Sequence, residues 1–304
     1  MSITITGGIT LNGGGWTIDA PPAGNKAIFG YGGGSITNLV SNTGVVGNDV
    51  AGVGTGRAYL AAAGYGTDKA IFGYGATPSN TAITNLVSNT GVVATDTAGV
   101  GTARSELAAA GYGTDKAIFG YGDQNGVYGG VSMTNLVSNT GVVSTDTAGV
   151  GTARYALAAA SYGTDKAIFG YGYSGGELAT TNLVSNTGVV ANNITGVGTV
   201  RRYLAAAGYG TDKAIFGYGY ASVGPFVSIT NQVSNTGVVA TDTAGVGTAR
   251  YVLAAATYGN DKAIFGFGSG STAITNLVSN TGVVSSDVTG VGSARGYLAA
   301  ASYG

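Results

Sequence analysis

The eight residues DKAIFGYG stand at 68–75 and return, letter for letter, at 115–122, 165–172 and 212–219. NKAIFGYG at 25–32 and DKAIFGFG at 261–268 are near copies. The six lysines inside these copies are Lys26, Lys69, Lys116, Lys166, Lys213 and Lys262, spaced at intervals of 43 to 50 residues. The arginines keep the same beat at Arg57, Arg104, Arg154, Arg201 or Arg202, Arg250 and Arg295. Of 13 basic residues, only one of the Arg201/Arg202 pair falls outside the repeat. A role shared by six equivalent positions is more often structural than catalytic.

One unit reads KAIFGYG, a variable stretch, TNLVSNTGVVATDTAGVGTAR, and then YxLAAAGYGTD. Gly, Asn-Thr-Gly or Thr-Asp interrupts its short apolar runs every few residues, which is the punctuation of strands and turns. No segment sustains a 3.6-residue period. The Leu-Ala-Ala-Ala run has helical propensity, but it is short and Gly-Tyr-Gly stops it. Four strands per unit are expected: the alanine run, KAIFGYG, TNLVSN and GVVATD.

Four short strands recurring at this period describe a propeller blade. The expected fold is all-β: a six-bladed β-propeller of four-stranded antiparallel blades over residues 25–304. The alanines at 61–63 and their five counterparts suit the crowded innermost strand. Phe72 and Tyr74 suit the wider space outside it, and the glycines beside them let a neighbouring aromatic approach bare backbone. The segment 295–304 supplies a sixth alanine strand, which would close the N-terminal blade and leave no open edge.

The unit resembles the kelch repeat over all of residues 25–304. Arg154, the alanines at 158–160, the turn Gly163-Thr164-Asp165-Lys166 and the strand at 167–172 follow the kelch order. The departures are a glycine pair split as Gly-Tyr-Gly and the missing outer-strand Tyr and Trp. The resemblance implies a propeller that binds partners on the face where the loops between second and third strands emerge. Some kelch propellers are copper oxidases, but that metal needs imidazole ligands and the chain has no histidine.

Composition narrows the functions further. Charged residues make up 9% and the net charge is −1, so there is no electrostatic case for nucleic acid or for an anionic membrane surface. Without Cys or His there are no disulfides and no thiolate or imidazole metal sites, nucleophiles or bases. No secretory signal and no membrane span is expected. Sialidase-type propellers use clustered arginines with an acid and a tyrosine. Here six of seven arginines are repeat positions, and the only glutamates are Glu106 and Glu177. The aspartates repeat as well: Asp68 and its counterparts precede the lysines, and Asp49, Asp96, Asp146, Asp242 and Asp287 end the fourth strand, with Asn193 in the remaining unit. They read as turn residues. A calcium loop would need more oxygen ligands per turn, so no metal and no cofactor is expected.

What differs between units is the stretch after FGYG, at 33–36, 76–83, 123–133, 173–180, 220–229 and 269–274. The longer versions carry Asp123, Tyr128, Tyr173, Glu177, Tyr220 and Phe226, the candidate ligand-binding residues. Aromatic-rich loops on a rigid scaffold are a common way to build a binding surface. Residues 1–24 stand outside the repeat. They are read either as a flexible leader or as an assembly arm carrying Ile3, Ile5 and Trp16 that adds a strand to a neighbour, and the second reading is the one adopted.

The expected function is non-enzymatic and structural or adhesive. In repeat style the chain resembles kelch-like virion proteins of tailed bacteriophages, whether of tail, fibre or capsid decoration. That resemblance implies a virion location, membership of a larger assembly, docking on other virion proteins through residues 1–24, and loops turned toward a host glycan or receptor. The alternative is a secreted or cell-surface bacterial lectin, hence extracellular.

Overall fold

Each KAIFG segment is bounded by glycine-rich turns and has no polar side chain after its lysine, so it forms a strand that can be buried on both faces. In the computed structural model, which describes residues 9–12, 15–18, 25–124, 129–222, 224–270 and 272–304, all six do so, with Ala, Ile, Phe and Gly of every copy buried. Each is the middle strand of a three-stranded antiparallel sheet. In the third unit Ala108–Tyr112 pairs with Lys116–Gly120, which pairs with Thr134–Val137. The other units repeat this register. The described residues contain no helix, and the alanine runs are strands.

The sheet holding Lys26–Gly30 takes its alanine strand from Ala299–Tyr303. The alanine strands also touch one another in chain order, and Ala299–Tyr303 touches Ala61–Tyr65 in the same way. Ile9–Asn12 and Gly15–Ile18 form a separate antiparallel hairpin. Ile3 and Ile5 lie outside the described residues, as does the side chain of Trp16.

The fourth segment of each unit departs from expectation. It meets the third strand at two isolated bridges, Val137↔Val143 and Thr134↔Thr147 in the third unit, rather than as a continuous strand. Residues 134 to 137 span three steps and residues 143 to 147 span four. The extra residue bulges the segment off the ladder.

Between sheets the packing is one repeated joint. The Phe of each KAIFG lies on the glycine of the preceding copy, so that a Cβ at Gly120 would sit 2.7 Å from Phe169 Cζ. Tyr121 meets the same phenylalanine with ring centroids 5.1 Å apart. The repeat arginine locks the joint. Arg104 donates from Nε to the Tyr121 carbonyl (2.8 Å), from Nη1 to the Thr102 carbonyl (3.1 Å) and from Nη2 to Asn135 Oδ1 (2.7 Å). Its guanidinium lies 4.4 Å from the ring centre of Tyr74 in the preceding unit. All six repeat arginines are buried, and all six make this set of contacts.

Candidate functional site

The two residues after each repeat arginine are not copied. The first is Ala58, Ser105, Tyr155, Arg202, Tyr251 or Gly296, and the second is Tyr59, Glu106, Ala156, Tyr203, Val252 or Tyr297. The first bridges to the residue that follows FGYG: Ser105 to Asp123, Tyr155 to Tyr173, Arg202 to Tyr220. The fold therefore places both sets of uncopied residues on one face.

The second residues hold φ between 52° and 58°, a left-handed backbone that is strained for side chains of this size. What offsets the strain is a cycle of six hydrogen bonds. Tyr59 N–H donates to the Tyr297 carbonyl, Tyr297 to Val252, Val252 to Tyr203, Tyr203 to Ala156, Ala156 to Glu106 and Glu106 to Tyr59, at 2.8 to 3.0 Å. Against this collar lies a cavity of about 120 Å³, lined by its six residues together with Leu60, Leu107, Leu157, Leu204, Leu253 and Leu298.

To one side the face is aromatic and charged. The Arg202 guanidinium lies 4.6, 5.5 and 5.0 Å from the ring centres of Tyr173, Tyr203 and Tyr220. Its Nε is 3.7 Å from Glu177 Oε1, and Ser222 Oγ donates to Glu177 Oε2 at 2.6 Å. Phe226 is 47% exposed and stacks on Tyr251 at 4.8 Å and 14°, with Tyr220 edge-on to both. Glu106 points into the cavity wall, where burial pushes its carboxyl up to about 7. A hydrogen bond with Tyr203 and the charge of Arg202 pull the other way, while Asp123 adds to the rise. Burial, then the nearby Glu106 carboxylate, pushes the Tyr155 hydroxyl up to about 12.

Four of the expected residues, Tyr173, Glu177, Tyr220 and Phe226, converge on Arg202 and Tyr251. Asp123 does not fit the picture of a displayed loop residue. It is 6% exposed, its backbone bridges to Ser105 and Gly130, and Asn80 Nδ2 of the preceding unit donates to its carbonyl at 2.9 Å. It packs close enough to Glu106 and Tyr155 to act on both. Tyr128 lies outside the described residues. The sequence reading did not place Glu106, Arg202, Tyr203 and Tyr251 at the site, although Glu106 is one of only two glutamates and Arg202 or Arg201 had to be the basic residue off the beat.

At the other end of the alanine strands lies a larger cavity, about 240 Å³, lined by copied residues such as Tyr65, Thr67 and Lys69. There each of five lysines is paired with the aspartate before it, as Lys69 Nζ is with Asp68 Oδ1 at 2.6 Å. That end varies little: Asn25 stands in place of the aspartate in the first unit, and Gly64, Gly111 and Gly208 give way to Ser161, Thr257 and Ser302 in the other units. The smaller cavity and its surroundings vary far more from unit to unit.

Neither a protein-family model nor a curated protein matches the sequence.

Proposed function

We propose that residues 25–304 form a closed, six-bladed, kelch-like propeller with a non-enzymatic, adhesive role, taking its ligand on the uncopied face. Supporting closure are the pairing of Ala299–Tyr303 with Lys26–Gly30 and the six-membered hydrogen-bond cycle. In this reading the bridged outer segment is the fourth strand of each blade. Residues 1–24 dock on a larger assembly, for which the repeat style suggests the virion of a tailed bacteriophage, and the ligand is a glycan or receptor on the host surface.

The observation that carries the binding role is the convergence of Phe226, Tyr251, Tyr220 and Arg202, none of them common to all six units, around an exposed stacked ring. Aromatic side chains and arginine dominate recognition surfaces because they supply large contact area at low entropic cost. The apolar faces of a sugar ring would lie on Phe226 and Tyr251, and its hydroxyls would reach Glu177 and Arg202.

The test is adhesion to host cells by purified protein. Phe226→Ala and Tyr251→Ala are expected to reduce it at least tenfold, while Val142→Ser, at an exposed valine of the bridged outer segment, leaves it unchanged. Loss through Val142→Ser with retention in both face variants would place the binding surface elsewhere.

A further inference from the structure

The cavity against the hydrogen-bond collar is not used by the stacked surface beside it. Three tyrosines, Tyr59, Tyr203 and Tyr297, and one acid, Glu106, stand in its wall. Tyr59 and Tyr297 have ring centres 4.2 Å apart, and Tyr203 meets Tyr297 edge-on at 6.3 Å. Glu106 keeps one oxygen, Oε2, buried without any hydrogen-bond partner. A buried carboxylate oxygen left unpaired is costly, and ring faces attract a cation placed over them.

The cation already present on this face does not fill the cavity. Arg202 is absent from its wall. Its guanidinium lies beside Glu177 and over the rings of Tyr173 and Tyr220, and reaches within 5.5 Å of the Tyr203 ring without entering the cavity wall. Among the described residues, the acids on this side are Glu106 in the wall and Asp123, which acts on Glu106. At about 120 Å³ the space is well below the roughly 300–1,000 Å³ of pockets that enclose a drug-sized ligand, which suits a small alkylammonium head and not a whole sugar.

We propose that this cavity binds the ammonium group of the ligand, with Glu106 as counter-charge and Tyr59, Tyr203 and Tyr297 as an aromatic cage. The inference rests on the adhesive reading for its wider ligand, a glycan carrying an amino or methylated amino substituent. Binding requires ionised Glu106, whose carboxyl is faced by Tyr203, Asp123, Arg202, Tyr155 and Tyr297. With half-ionisation near pH 7, apparent affinity for a cation rises about tenfold between pH 6 and pH 8, because the competent fraction rises by that factor.

Titration of the full chain with choline, and with 3,3-dimethylbutan-1-ol as its uncharged isostere, tests this directly. Choline is expected to bind at least tenfold more tightly than the isostere at pH 8, and more tightly at pH 8 than at pH 6. Glu106→Gln removes the pH dependence and reduces the preference for choline over the isostere to what the rings alone supply, and Tyr59→Leu weakens choline severalfold. Glucosamine is expected to bind better than N-acetylglucosamine, which lacks the ammonium charge. Equal binding of choline and isostere, or no choline binding at pH 8, overturns the proposal. If choline fails while host-cell adhesion remains sensitive to Phe226→Ala, the cage is refuted and the adhesive reading stands. If choline binds while Phe226→Ala and Tyr251→Ala leave adhesion intact, the cage stands and the adhesive face is refuted.

Discussion

Arg104 Nη1 lies 3.9 Å from Asp146 Oδ1. The same pairing recurs between Arg295 and Asp49. In the unit of Arg154 the equivalent acid is Asn193, which accepts from Thr152 N–H at 3.1 Å and from Asn182. Arg154, fully buried, thus has no carboxylate at the place where its counterpart has one.

Asn193→Asp is therefore expected to stabilise the protein, by about 0.5–1 kcal/mol for a partly exposed pair. Burial opposes the charge of Asp146, but hydrogen bonds from Thr102 and Asn135 and the field of Arg104 outweigh it and hold its carboxyl below the usual value. The gain from the new aspartate should likewise be present at neutral pH and lost as pH falls through its depressed pKa. Thermal melts of both proteins at pH 7 and pH 3 check this.

Replacing Arg154 by Lys should cost about 1–3 kcal/mol despite the kept charge. A lysine cannot serve the Tyr171 and Thr152 carbonyls and Asn182 Oδ1 at once, and a buried acceptor left unsatisfied carries that order of penalty. Urea denaturation reads the difference.

Gly120→Ala should destabilise by about 1–3 kcal/mol, the usual range for overpacking a dense core. The added methyl meets the ring of Phe169, which is itself enclosed by Tyr121 and the next sheet. Gly176→Ala, with nothing near its Cβ position, is the control, and the two melting temperatures are compared.

Glu106 predicts a pH dependence of opposite sign to that of the aspartates. Its carboxyl is at about 7 in the fold against 4.5 when unperturbed, so the fold favours the protonated form. That contribution is full below pH 4.5 and is lost as pH rises through 7, by up to about 3 kcal/mol at ~1.4 kcal/mol per unit. Stability measured from pH 5 to pH 8 should fall in the native protein and stay nearly flat in Glu106→Gln.

How much of this could be read beforehand follows from what copying does and does not mark. Strands such as Lys116–Gly120 were legible because an apolar run between glycines has few other options. The glycine-on-phenylalanine contact was legible too, since a glycine amid bulky residues needs a reason. The bulge at 143–147 was not, because it depends on a one-residue mismatch between two segments whose register is set only in three dimensions. Tyr203 and Glu106 were hidden for a related reason. They lie at the entry to the alanine strand, where a sequence reader assigns structure, and only the left-handed turn there aims them into the cavity. The burial of Asp123 depended on Asn80 from another repeat, which no local pattern announces.

Arg295 donates to the carbonyl of Tyr31 across 264 residues of chain, and the strand that follows it completes the sheet begun at Lys26. During synthesis that first sheet must wait, two strands wide and with one flank bare, until nearly all its sisters have emerged. The early repeats are thus the ones most exposed to wrong pairing with a later copy of themselves.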